Sequence, residues 1–167
     1  MLAKYFDDLN IYGIEVSTLT NRQKIELAEW GLLRHANNIP VKDLRVRHFI
    51  HGGMYARELT IPKGVALTGA IHPHAHLAIV TKGDISVMSD YGIMRVKAGD
   101  IIPVGENTKK FGIAHEETVF ITVHATNETD LETIEAASLI DSNLSWIEQL
   151  MIMSGDTSWQ ELQQQQQ

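Results

Sequence analysis

The sequence predicts a mainly β protein, an antiparallel double sheet or closed barrel with one helix before it and two after it. Three observations carry that expectation. From Val46 onward apolar residues alternate with polar ones over short runs, the period of strands with one buried face. Turn signals break these runs about every ten residues, the spacing of sandwiches and barrels: His51-Gly52-Gly53, Pro62-Lys63-Gly64, Lys82-Gly83-Asp84, Ser89 to Gly92, and Ala98-Gly99-Asp100. On both sides of this region the apolar spacing changes to that of helices.

The 167 residues suffice for one domain with a real core, and 44% hydrophobic with 21% charged residues is an ordinary balance for a soluble protein. A net charge of -7 and a pI near 5.5 argue against nucleic acid and anionic membrane as partners, since both require a basic surface. The absence of cysteine excludes disulfides, thiolate ligands and cysteine nucleophiles. No apolar run is long enough to span a bilayer, and Met1 to Asp8 lacks the features of a signal peptide, so a cytoplasmic protein is expected.

In chain order, residues 1–44 form an N-terminal segment with one helix. Thr20-Asn21-Arg22-Gln23 matches a capping box, and Ile25, Ala28, Leu32 and Ala36 follow at helical spacing, predicting a helix from Asn21 to His35. Residues 45–126 form the β-region, with strands expected at Val46–Ile50, Met54–Ile61, Val65–Ile71, Leu77–Thr81, Ile85–Met88, Ile93–Val96, Ile101–Gly105, which runs into a bend, and Thr118–His124. Ser89 to Gly92 reads as a hairpin turn. In residues 127–162, Asn127 onward reads as an acidic-start helix, and Asp141 to Met151 as a second with Leu144, Ile147 and Leu150 or Met151 on one stripe. Gln163 to Gln167 is a low-complexity tail expected to be disordered.

The chemistry concentrates in Gly69 to Gly83, where His72, His74 and His76 stand at alternate positions. On a strand these three imidazoles would share one face and make half a metal site. The alternative is that Pro73 bends the segment and leaves solvated loop histidines. Lys109-Lys110 would hold an anion at a barrel mouth, but such a run usually marks a solvated edge. His115-Glu116-Glu117 fits an exposed turn better than an acid-base pair. Arg57 and Glu58 face opposite ways, so at most one enters a barrel.

Residues 55–126 resemble the cupin superfamily, small jelly-roll barrels with two motifs. Gly69, His72, His74 and Gly83 resemble the first motif, and Gly99-Asp100 with Pro103-Val104-Gly105 the second. The runs Tyr55 to Leu59, Lys82 to Val87 and Ala114 to Thr118 also resemble small cupin-like proteins of tailed bacteriophages. The resemblance implies an antiparallel jelly-roll barrel, a divalent metal ion (Zn, Fe, Ni or Mn), a small-molecule ligand and a homo-oligomer, as a dimer.

The chain departs from the motif set in two places. His76 stands where a cupin has glutamate, and Thr108 where it has its last histidine. That leaves His72, His74 and His76, with His124 as the replacement fourth ligand if the segment after Gly105 pairs antiparallel with Thr118–His124. Against His124 stands parity, because Val119, Ile121 and Val123 make the aliphatic face expected to be interior. Metal affinity is expected to fall as pH drops through about 6.5, the ordinary histidine value, and replacing His74 is expected to remove most of the metal. Three functions fit: a metal-dependent cupin with or without enzyme activity, a metal-free small-ligand-binding module, or a phage structural or accessory protein using the jelly roll as an assembly scaffold.

Overall fold

A computed structural model describes residues 10–11, 14–34, 43–140 and 142–155. In chain order these form β1 (Asn10–Ile11), β2 (Ile14–Glu15), a 3-10 turn (Val16–Thr18), α1 (Asn21–Arg34), β3 (Arg45–His51), β4 (Met54–Ile61), β5 (Ala66–Thr68) and β6 (His76–Lys82). There follow β7 (Asp84–Ser89), β8 (Gly92–Lys97), β9 (Ile101–Val104), β10 (Lys110–Ala114), β11 (Thr118–Ala125), α2 (Leu131–Ser138) and α3 (Ser145–Ser154).

The strand pairing is that of a jelly roll. β7 pairs with β8, β6 with β9, β5 with β10 and β4 with β11, all antiparallel. These are successive lengths of one long ribbon, closed at its tip by the two-residue turn between Ser89 and Gly92. Rolling the ribbon adds the pairs β6 with β11 and β7 with β10. The result is a four-stranded sheet, β5-β10-β7-β8, facing a five-stranded one, β3-β4-β11-β6-β9. The fold class is therefore an antiparallel jelly-roll barrel.

Three details differ from the sequence reading. The expected strand Val65–Ile71 shrinks to Ala66–Thr68, and Ile71 instead bridges Ile140 beyond α2. β10 was not foreseen, because Lys110-Phe111-Gly112-Ile113-Ala114 shows no clear polar alternation. It pairs with β5 and β7, so the segment after Gly105 does not run beside β11.

Gly83, between β6 and β7, illustrates why the turns fall where they do. Its φ is +87°, and an added Cβ would lie 2.3 Å from the Glu117 carbonyl oxygen, so only glycine fits this crossing of two chain segments. α1 opens on the predicted capping box: Thr20 Oγ1 accepts from the Gln23 amide at 3.2 Å and the Thr20 amide donates to Gln23 Oε1 at 3.0 Å. Replacing Thr20 by Ala should cost about 1 kcal/mol in urea unfolding with an unchanged denaturant slope; wild-type stability in that variant would show that the cap contributes nothing. His35 and the Gln163–Gln167 tail lie outside the described residues. α2 begins later than expected, at Leu131, where Asp130 accepts from the Thr133 amide at 2.9 Å.

Two cores hold the layers together. Inside the barrel lie Leu59, Ile61, Val80, Ile85, Val87, Val96 and Ala114. Outside the four-stranded sheet, Ile25 and Leu27 of α1 and Ile147 and Met151 of α3 pack with Val16, Met88 and Phe111. Arg22 of α1 also grips Asp90 in the hairpin turn through two bonds of 2.7 and 2.8 Å. The five-stranded sheet has a different outer surface. Phe49, Leu77 and Ile101 are 49, 44 and 62% exposed there; Phe49 and Leu77 lie in one cross-strand row with Val123, and Ile101 lies in the next with Ile79 and Ile121. No helix among the described residues is long and apolar enough to cross a membrane.

Candidate metal centre

Three histidines from different parts of the chain converge in the barrel. One ring nitrogen from each of His72, His76 and His124 lies within 4.8 Å of the other two. Ring centroids are 4.7 Å apart for His72 and His76, 4.5 Å for His72 and His124, and 4.4 Å for His76 and His124. Among the described residues no second set of three His, Asp or Glu side chains comes as close.

Each histidine is placed by a different device. His72 follows the bridge between Ile71 and Ile140, and the Asn107 amide donates to its carbonyl at 2.8 Å. Its Nδ1 lies 2.7 Å from the Ser138 carbonyl oxygen at the end of α2. A carbonyl only accepts, so Nδ1 carries the proton and Nε2 keeps its lone pair. His76 opens β6, and its Nδ1 lies 3.3 Å from the His74 carbonyl oxygen, which selects the same tautomer. Backbone carbonyls that fix the far ring nitrogen are the usual second contact of metal-binding imidazoles. His124, near the end of β11, is opposite Tyr55 of β4.

The electrostatics keep the three rings neutral. Burial displaces His76 down to about 4 and His124 down to about 3, with nearby Lys110 and the other histidines adding to the effect. His72 is also lowered, chiefly by burial, although its bond to Ser138 opposes the shift. Neutral imidazole is the metal-binding form. All three shifts are downward, so the metal-competent state extends below pH 6.5, which revises the acid limit expected from an unperturbed histidine.

The geometry redistributes the residues expected from sequence. His74 is exposed at the bend made with Pro73, and it offers the centre only its backbone carbonyl. The strand starts at His76, so the alternation of His72, His74 and His76 is broken, as a proline within the run allows. His72 reaches the centre from the loop instead. His124 is 6% exposed and faces the cavity together with Phe120 and Thr122, so the interior face of β11 is the opposite of the one expected. Aliphatic content misled because the outer surface of that sheet is itself apolar. Thr108 is buried, and its hydroxyl donates to the Gly105 carbonyl at 2.8 Å, closing a turn rather than facing the histidines.

The two lysines do not form a solvated edge. Lys109 is 2% exposed and bonds Glu29 of α1 at 2.6 Å, on the helix side of the four-stranded sheet. Lys110 turns the other way, and its Nζ lies 3.2 Å from His76 Nε2. Likewise Glu58 points outward to Arg47, with bonds of 2.7 Å, while Arg57 lines the cavity. The sequence held a signal for this: Tyr55, Leu59 and Ile61 share the parity of Arg57 and are all buried. His115 sits at a bend, where Ser86 Oγ approaches its Nε2 at 2.7 Å. The cavity itself measures about 510 Å³ and opens between the sheets, with Glu135, Ser138 and Leu139 of the α2 region at its rim.

No family model and no curated protein matches the sequence. Solved structures do align with about half of the chain or somewhat more. KdgF from Halomonas sp. shares 16% identity over 54% of this chain and 84% of its own, with a TM-score of 0.46. The Cnp3 cupin domain of Schizosaccharomyces pombe shares 15% identity over 61% of this chain and 72% of its own, at 0.44. A cupin superfamily protein of Desulfitobacterium hafniense shares 6% identity over 53% and 83%, at 0.45. The fold assignment rests on the strand order described above.

Proposed function

We propose that the chain binds one divalent metal ion through His72, His76 and His124 and presents it to a small molecule in the barrel cavity. The observation that carries this reading is the convergence of three neutral imidazoles within 4.8 Å, two of them with Nδ1 tied to a backbone carbonyl. Three protein nitrogens are the ligand number of catalytic zinc sites, which keep a position open for water or substrate. Bound there, the ion would act as a Lewis acid or a redox centre, and its identity among Zn, Fe, Ni and Mn is set by availability as much as by this donor set. Elemental analysis of protein purified without a histidine tag or added metal should find about one equivalent, and wild-type protein carrying no more metal than His124→Ala would overturn the reading.

A binding module that works without metal is the second reading. It is favoured by Lys110, whose Nζ donates to His76 Nε2 at 3.2 Å and so uses the lone pair that a metal would take. On the metal reading Lys110 yields this nitrogen and swings within the cavity. On the second reading the lysine and the histidines together make a polar floor for an uncharged or anionic ligand.

A further inference from the structure

Three cationic groups line the cavity, and Lys109 is paired with Glu29, which leaves Arg57 and Lys110 as cations that the metal reading does not use. We propose that they form the head-group subsite for an organic carboxylate, whose apolar body lies along the lower barrel wall. The inference deepens the proposed function, naming the ligand class of the same cavity, but it rests on these two cations and not on a metal.

Placement comes first. Arg57 of β4 is in register with Thr122 of β11, one inward-facing step below the pair Tyr55 and His124. The next inward step is Leu59 with Phe120, and below it Ile61. Lys110 reaches in from β10 on the opposite sheet, between His76 Nε2 at 3.2 Å and the Phe120 ring, whose centroid is 6.0 Å away. Both cations are close enough to His72 to oppose its protonation. The cavity is thus layered: histidines at the top, the two cations beside and beneath them, then Leu59, Phe120, Ile61, Ile85 and Val87.

Charge pairing comes second. Among the described residues neither Arg57 nor Lys110 makes an ion pair. None of the acids nearby pairs with either cation, although Glu29 Oε2 is buried without a hydrogen-bond partner. Glu29 takes Lys109 at 2.6 Å, Glu58 takes Arg47 on the outer surface, and Glu135 stands at the rim 3.9 Å from His48. A cation held in a partly apolar cavity without a counter-charge is destabilising. Guanidinium and ammonium together match a carboxylate, by a planar fork and a point charge. The apolar layer beneath rules out a fully polar anion as the best fit, because inorganic phosphate would leave that wall uncovered.

Calorimetric titration of hexanoate, hexan-1-ol and inorganic phosphate tests the proposal, each in the presence of EDTA and again with one equivalent of zinc. Hexanoate should bind the EDTA-treated protein about tenfold or more tightly than either hexan-1-ol or phosphate. Arg57→Met and Lys110→Met should each weaken hexanoate about tenfold while leaving hexan-1-ol unchanged. Both variants should also melt at a higher temperature than wild type, since each removes an unpaired cation, and that readout shows at once that they fold. Equal binding of hexanoate and hexan-1-ol by wild type, phosphate binding as tightly as hexanoate, or hexanoate binding unaffected in both variants would overturn the subsite. The metal reading fails separately: hexanoate bound in this pattern by a protein that takes up no zinc would leave the subsite standing and remove the ion.

Discussion

His124→Ala and His76→Ala should each lower zinc affinity by about 100-fold or more, while His74→Ala should stay within about threefold of wild type. The contrast follows from position. His76 and His124 are each 6% exposed and supply one nitrogen to the cluster. His74 is exposed and contributes a carbonyl oxygen, which alanine retains. The effect expected of His74 as the middle member of an alternating triad thus passes to the two buried residues. Removing one imidazole leaves a two-nitrogen site, and a metal ion loses both a bond and the closure of the triangle. Competition against a chromophoric chelator measures the change. Because His→Ala enlarges a cavity that already exists, the variants should fold, and His124→Gln supplies a bulkier control with the same loss of imidazole. Equal zinc affinity in His74→Ala and His124→Ala would remove the proposed centre, whichever direction the two moved together.

A second large effect is expected in the acid stability of the metal-free protein. His76 and His124 are displaced downward to about 4 and about 3, and His72 is lowered as well, in each case chiefly because burial penalises the charged ring. In the unfolded chain all three take up protons near pH 6.5. Between that pH and the folded-state values the unfolded state binds more protons, so stability falls as pH falls. His76 and His124 each contribute a slope of up to about 1.4 kcal/mol per pH unit, so the two together should cost several kcal/mol on going from pH 7 to pH 4, and His72 adds to the loss in the same direction. Below the folded-state values that contribution levels off. Unfolding by urea across this range should show the loss, and His76→Gln with His124→Gln should flatten it. A wild-type stability that is level from pH 7 to pH 5 would contradict the burial of neutral imidazoles. Lys110, pushed down to about 8 by burial, works at the other end: stability should rise as pH increases from about 8 toward the ordinary lysine value.

Much of this architecture was legible because strands and turns report themselves locally. Met54–Ile61 was bounded by His51-Gly52-Gly53 and Pro62-Lys63-Gly64, and the observed strand has those limits. The capping box at Thr20 and Gln23 needed only four residues to be recognised. β10 escaped because its five residues carry a lysine and a glycine and no clear alternation, so only pairing with β5 and β7 makes them a strand. His72 and His76 were singled out by residue type and spacing, yet the reason given, a shared strand face, fails at Pro73. His72 joins His76 through the bridge of Ile71 to Ile140 and the carbonyl of Ser138, which lie more than sixty residues along the chain.

What the sequence determined by itself was the β-class, the order and approximate limits of most strands, and the presence of imidazole chemistry, since each depends on periodicity or residue type within a short window. The inward facing of His124, Arg57 and Lys110, and the outward facing of His74, were decided only by the rolled ribbon. Parity says which residues of a strand share a face, but not which face is interior. Here the aliphatic face of β11, Val119, Ile121 and Val123, lies outward in a sheet surface that also carries Phe49, Leu77 and Ile101, while Phe120 and the polar Thr122 and His124 face the cavity, so aliphatic content within the strand does not mark its interior side.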